Sequence, residues 1–200
     1  MMFLSARQEA RELSHIFNIN QENDNFIIEV NLNNYQHLYN DWDASSINQK
    51  ELAPELFDFI ERASYEIPLN KDHELWFYLP AANQDERKEA KSKKALKNNF
   101  KMELYFIKKK LNRIYRKAVT YIMIGMIFLL AAYFLPETAG NKLLYSLFME
   151  GIFIGGWVFL WEAFSQFFFA SHEVRKRRKY YQRFLDSRIQ FIYQEVEEQS

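Results

Sequence analysis

Two carboxylates stand inside otherwise apolar stretches of this 200-residue chain, Glu150 and Glu162, and their surroundings decide what chemistry they can do. A charge in hydrocarbon is costly, so it must be paired, hydrated or neutralised. Laid antiparallel and level at Leu135 and Leu143, the apolar segments 118–135 and 143–170 put Glu162 beside Arg116 and Lys117, which can form an ion pair with it near one bilayer surface. Glu150 then lies about 10 Å below the other surface by helical rise, level with Phe128. No Lys, Arg or His lies in segment 118–135 to meet it. It must be protonated, face water or meet polar groups of a second copy, and in water it could line an ion path.

Other reactive side chains form no recognisable constellation. His37, Asp41 and Asp43 are close in sequence, and His73 follows Asp72. Imidazole and carboxylate can share a metal, but turn or cap roles for the aspartates and surface roles for the histidines are the simpler explanation. No His-Glu-x-x-His pattern or nucleophile elbow occurs, so no catalytic residue, metal ligand or cofactor is assigned. Cysteine is absent, which excludes disulfides and thiolate chemistry. None of the five glycines precedes Gly125, so no glycine-rich phosphate loop occurs before it. Six Lys/Arg fall within 87–97, without interleaved aromatic residues to stack on bases. That run reads as a solvated or domain-facing surface, and nucleic acid is not an expected partner.

The elements that position the two carboxylates are legible from hydropathy. The mean hydropathy of −0.38 hides a segregated chain. Residues 1–86 hold 5 Lys/Arg against 16 Asp/Glu, whereas 87–200 hold 21 against 10. Residues 118–135 run 18 positions without a charge, about 27 Å as a helix, close to the hydrocarbon thickness of a bilayer. Pro136 ends the first span, and residues 143–170 offer a second that is long enough to tilt or project. Seven Lys/Arg in 101–117 and seven in 175–188 flank the pair, while the connection carries only Lys142, which places both termini in the cytoplasm. Gly151 and Gly155 form Gly-x-x-x-Gly with Gly156 adjacent, and this small-residue surface can accept the first span near Gly125 or a second copy.

The N-terminal residues are too charged for a signal peptide and suggest a short amphipathic helix with Leu13, Ile16 and Phe17 on one side. An asparagine-rich loop, 18–25, precedes alternation over 26–32 that predicts a strand. Residues 35–39 suggest a helical turn and 41–46 a turn. Residues 54–67 predict a helix with Leu56, Phe59, Ile60, Ala63 and Ile67 on one face, and 74–79 a second strand. The segment 189–196 reads as a third strand, with a continued helix as the rival. Phe100, Leu104, Ile107, Leu111, Ile114 and Ala118, spaced 4, 3, 4, 3 and 4, form a seam for an antiparallel stalk or a second protomer.

Together these features describe an α+β membrane protein. It comprises an acidic cytoplasmic domain (1–82), a basic stalk helix (83–117), a two-helix transmembrane hairpin (118–170), and a cytoplasmic helix and strand (171–200) packing back on the domain. The expected location is the plasma (cytoplasmic) membrane, multi-pass. The leading functional expectation is a non-enzymatic membrane protein whose cytoplasmic interaction or regulatory domain is anchored by the hairpin. Its partners would be the lipid bilayer, a cytoplasmic protein and, through the glycines, a homo-oligomer. An oligomeric channel, pore or transport component using Glu150 is the second expectation, and a membrane-tethered enzyme the third.

Overall fold

A computed structural model describes residues 13, 15–43, 50–135 and 142–195. The expected turn at 41–46 and the connection between the apolar segments fall largely outside them, as do most of residues 1–17. The chain forms two compact units, Met1–Leu104 with Lys179–Ser200, and Tyr105–Arg178.

The first unit is built on a four-stranded sheet, β1 (Asn18–Ile19), β2 (Phe26–Asn31), β3 (His73–Pro80) and β4 (Ile189–Gln194), ordered β1-β2-β3-β4. β1 pairs antiparallel with β2, while β2, β3 and β4 run parallel. Parallel neighbours need a crossover. Helix α1 (Pro54–Glu66) supplies the first. The second consists of residues 81–188, which hold α2 (Glu86–Phe134), α3 (Lys142–Ser165), a π-helical turn (Gln166–Ala170) and α4 (Ser171–Asp186). The segment following α4 is therefore a strand, as its β-branched and aromatic residues require.

Period-two alternation sorts each strand into faces. Val30, Phe77 and Phe191 stand side by side in register and are buried, and Phe77 stacks on Phe191 at 5.2 Å. Glu29, Trp76 and Gln190 occupy the register row on the other face and are half-buried. The start of α2 belongs to this core, because Ala95, Leu96 and Phe100 are wholly buried. Phe100 stacks on Phe184 of α4 at 4.8 Å, and Phe57 of α1 packs near Phe100 and Tyr181. The face of α1 departs from expectation in one position. Phe59 is 44% exposed, whereas Ser64, an unremarkable polar residue in the sequence, is buried.

Ser64 is buried because Arg183 reaches it. The guanidinium donates to Ser64 O at 2.6 Å, Ser64 Oγ at 2.8 Å, and Pro68 O and Lys71 O at 2.8 Å each. It thereby satisfies carbonyls left open where α1 ends and places a cation at the negative end of that helix. Lys97 does the same for α4, donating to Ser187 O at 2.6 Å, Phe184 O at 3.3 Å and Leu185 O. His73 lies edge-on to Phe184, and neither ring nitrogen has a hydrogen-bond partner. Burial first, then the nearby Arg183 and Lys97 charges, hold its pKa down at about 3, so it is a neutral ring at physiological pH.

In the second unit, Ile107, Leu111, Ile114 and Ala118 of α2 are buried, as are Ala163 and Val174 of the returning helices. Tyr115 meets Phe167 at 5.8 Å and Tyr121 meets Phe159 at 6.2 Å, which makes the pair antiparallel. The outer surfaces are different. Both helical runs are long and apolar enough to cross a membrane, and only 11% and 6% of their most apolar windows are buried.

Arg183→Met removes the donors from several buried carbonyls and should lower stability by roughly 3 kcal/mol. His73→Leu replaces an unsatisfied ring and should change it by less than about 1 kcal/mol. Urea titrations of the purified protein, followed by tryptophan fluorescence, compare the two. Equal losses would show that the caps are not what holds these helix ends.

Candidate functional site

The second unit is organised by glycine. Gly125 and Gly156 are buried against each other, and a Cβ added at Gly125 would stand 3.0 Å from Gly156 O. One added at Gly156 would stand 2.9 Å from the Leu129 side chain and 3.2 Å from Gly125 O. Gly155 faces Phe128 with a 3.3 Å approach, while nothing lies within 4 Å of the position at Gly151. The glycines in the sequence motif thus separate. Gly125, Gly155 and Gly156 serve packing within the chain, and Gly151 faces open space.

That crossing fixes the level of every other residue along the pair, about one helical turn away from a hairpin aligned at Leu135 and Leu143. The expected ion pair of Glu162 with Arg116 and Lys117 is consequently not formed. Glu162 is half-buried and accepts from Gln166 Nε2 at 2.8 Å, one turn along its own helix. Glu150 lies beside Leu129, Ala132 and Tyr133 rather than level with Phe128. With Lys142, Tyr145, Ser146, Met149, Phe153 and Trp157, these line a groove of about 790 Å³. Glu150 is exposed and makes no hydrogen bond or ion pair with another described residue.

The first unit contains polar centres that sequence spacing did not reveal. Glu74 is fully buried and forms no ion pair with another described residue. Its carboxylate accepts from Asn23 Nδ2 at 2.6 Å, Trp76 Nε1 at 2.9 Å and Asn20 Nδ2 at 3.3 Å, with Asn25 and Gln190 amides at 3.5 Å. Burial pushes its pKa up, but the bonds from Asn23, Trp76, Asn20 and Asn25 outweigh that and hold it below the ordinary value. The asparagine-rich stretch was legible as a loop; that it folds around one carboxylate on β3 was not.

A second centre lies at the carboxyl ends of the parallel strands, where open sheets of this kind usually bind ligands. Tyr193 donates to Glu89 Oε2 at 2.7 Å and accepts from Tyr35 at 2.6 Å, and Lys93 pairs with Glu89 at 2.6 Å. Burial first, then Tyr35 and Glu89, push the Tyr193 phenol above its ordinary range. Beside this chain is a cleft of about 560 Å³ lined by Tyr35, Tyr39, Asp41, Lys50, Lys88 and Ser92, among others. Asp85 caps α2 through Arg87 N at 3.0 Å and Lys88 N at 3.1 Å, so the helix start already has its carboxylate.

The remaining candidates are dispersed. Asp43 accepts from Glu51 N at 2.7 Å, Asp41 lines the cleft and His73 is in the core. Among the described residues no group of three or more potential ligands could hold a metal. The basic run of 87–97 is divided among roles, with Lys88 paired to Asp85, Lys93 to Glu89, and Lys97 capping α4. No family model, no characterised protein and no solved structure matches the chain.

Two substitutions test these centres. Gly125→Val should lower the thermal stability of the protein in mild detergent by roughly 1–3 kcal/mol, because the backbone at Gly156 cannot move aside cheaply, whereas Gly151→Val should leave it unchanged. Equal effects would show that the crossing is not at Gly125. Glu74→Gln replaces one acceptor oxygen with an NH2 donor facing a ring of donors and should cost about 1–3 kcal/mol at pH 7. Because the Glu74 pKa is depressed on folding, its contribution is full above the ordinary value of 4.5 and is lost as pH falls through the lower folded value. The deficit of the variant in urea titrations should therefore shrink below about pH 4.5. A deficit that does not change with pH would contradict an ionised Glu74.

Proposed function

We propose that this is a non-enzymatic integral membrane protein in which a cytoplasmic interaction domain is anchored by a transmembrane helical hairpin. The observation that carries this reading is the contrast in burial. Phe77, Phe100 and Tyr181 of the first unit are wholly buried, while the most apolar windows of the long helices are only 11% and 6% buried. A core helix of a soluble protein would be covered by its own chain; this much bare apolar surface calls for hydrocarbon. The cations flanking both spans favour cytoplasmic termini in the plasma membrane.

The domain is suited to contact rather than chemistry. Arg183, Lys97, Asp85, Glu74 and Glu89 are engaged in caps, pairs and buried networks. Trp42, in contrast, is 96% exposed, next to a residue that lines the cleft. An uncovered tryptophan is a characteristic anchor for a protein partner. Glu150 favours a second reading, a transport or channel component, in which several copies would be needed to enclose a path. Gly151, open to the outside, is the position where a second copy could approach.

Alkaline carbonate extraction of membranes tests insertion, and single cysteines at Gln182 and Thr138 test topology in this cysteine-free chain. The protein should remain in the pellet. An impermeant maleimide added to intact cells should label Thr138→Cys and not Gln182→Cys. Release by carbonate would overturn membrane insertion, and labelling of Gln182→Cys from outside would reverse the orientation.

A further inference from the structure

The geometry points to the Glu150 groove as a binding site for a lipophilic organic cation. The groove lies within the second unit, and α3 presents Lys142, Tyr145, Glu150, Phe153 and Trp157 to it. Glu150, Phe153 and Trp157 are spaced i, i+3 and i+7, so one helical face carries a carboxylate followed by two aromatic rings. From α2 come Leu129, Ala132 and Tyr133. Tyr145 donates its hydroxyl to Leu135 O at 2.7 Å, so its polar atom is already engaged. Phe153 and Trp157 meet edge to face at 6.5 Å.

The chemistry of the lining selects the ligand class. A carboxylate that has no hydrogen bond or ion pair to another described residue attracts a positive charge, and more strongly where water is scarce. Aromatic rings add attraction for a cation whose charge is spread over alkyl or aryl groups. Leu129, Ala132 and Met149 suit the apolar body of such a molecule, and about 790 Å³ is within the range of pockets for ligands of that size. A hard inorganic cation would need six or more oxygen ligands, and this lining offers only Glu150 and a few hydroxyls. Lys142 does not neutralise Glu150; it begins α3 two helical turns away, about 12 Å along the axis, which leaves the end nearer Glu150 negative.

The low dielectric of the site rests on the membrane reading, so the experiment separates the two. Protein is reconstituted into nanodiscs of neutral phosphatidylcholine, and incorporation is verified by co-elution. Equilibrium dialysis of tritiated tetraphenylphosphonium is then compared with empty discs. Wild type should bind saturably above the partition into empty discs, and neutral tetraphenylmethane should not compete. Glu150→Gln should weaken binding by about tenfold or more, Glu150→Asp should retain most of it, and Trp157→Leu should weaken it severalfold. Circular dichroism and thermal unfolding should match for all variants. A Glu150→Gln variant that is folded and binds as wild type would overturn the proposal, as would wild-type binding no greater than that of empty discs. Failure of the protein to enter discs at all would overturn the membrane reading and this site with it.

Discussion

The carbonyl ends of two helices impose the central constraint on this fold. α1 must stop before β3, and α4 must stop before β4, yet both stops lie against the core, where Ser64, Ile67, Phe184 and Ser187 are buried and open carbonyls need partners. Arg183 and Lys97 meet that need from elsewhere in the chain. Arg183 belongs to α4 and caps α1; Lys97 belongs to α2 and caps α4. The two cations therefore link the three helices on one face of the sheet, and β4 begins directly after the second cap. His73, between these cations, is compatible with them only as a neutral ring. A strand that arrives after residues 81–188 needs this kind of local clamp, because its sheet partner is distant in sequence and ordering the connection is costly.

Much of this was legible because the relevant signals are periodic. Alternation in residues 26–32 and 74–79 gave strands, β-branched and aromatic content gave β4, and the 4-3-4 spacing from Phe100 to Ala118 gave a seam whose six residues are all buried. What was not legible depends on pairs far apart in sequence. Ser64 looks like a solvent residue until Arg183 is placed on it, and Phe59 looks like core for the same reason of helical spacing. Glu74 sits between an aspartate-histidine pair and a tryptophan without any motif, and only the sheet brings Asn20, Asn23 and Gln190 to it. Charge pattern alone could not tell which lysines of 87–97 cap a helix and which meet solvent.

In the apolar unit the register of the two helices follows close packing rather than hydropathy. Levelling the two spans at the ends of their connection is reasonable when only hydropathy is available, but close packing of small residues overrides it. Gly125 against Gly156 sets the register, which moves Glu162 off Arg116 and Lys117 and toward Gln166. The same shift puts Glu150 in an aromatic groove. A carboxylate there has a different meaning from one facing acyl chains, since its cost is offset whenever a cation occupies the space beside it.

A membrane anchor requires hydrocarbon to cover the bare apolar flanks of α2 and α3. Spin labels at Ile127 and Val158, 59% and 60% exposed, report this directly when the protein is reconstituted in lipid and collisions with oxygen and with a polar nickel chelate are measured. Frequent oxygen collisions with almost none from nickel are expected at both positions, and the reverse preference at Lys108. Ready access of nickel to Ile127 and Val158 would place those surfaces in water and contradict membrane insertion.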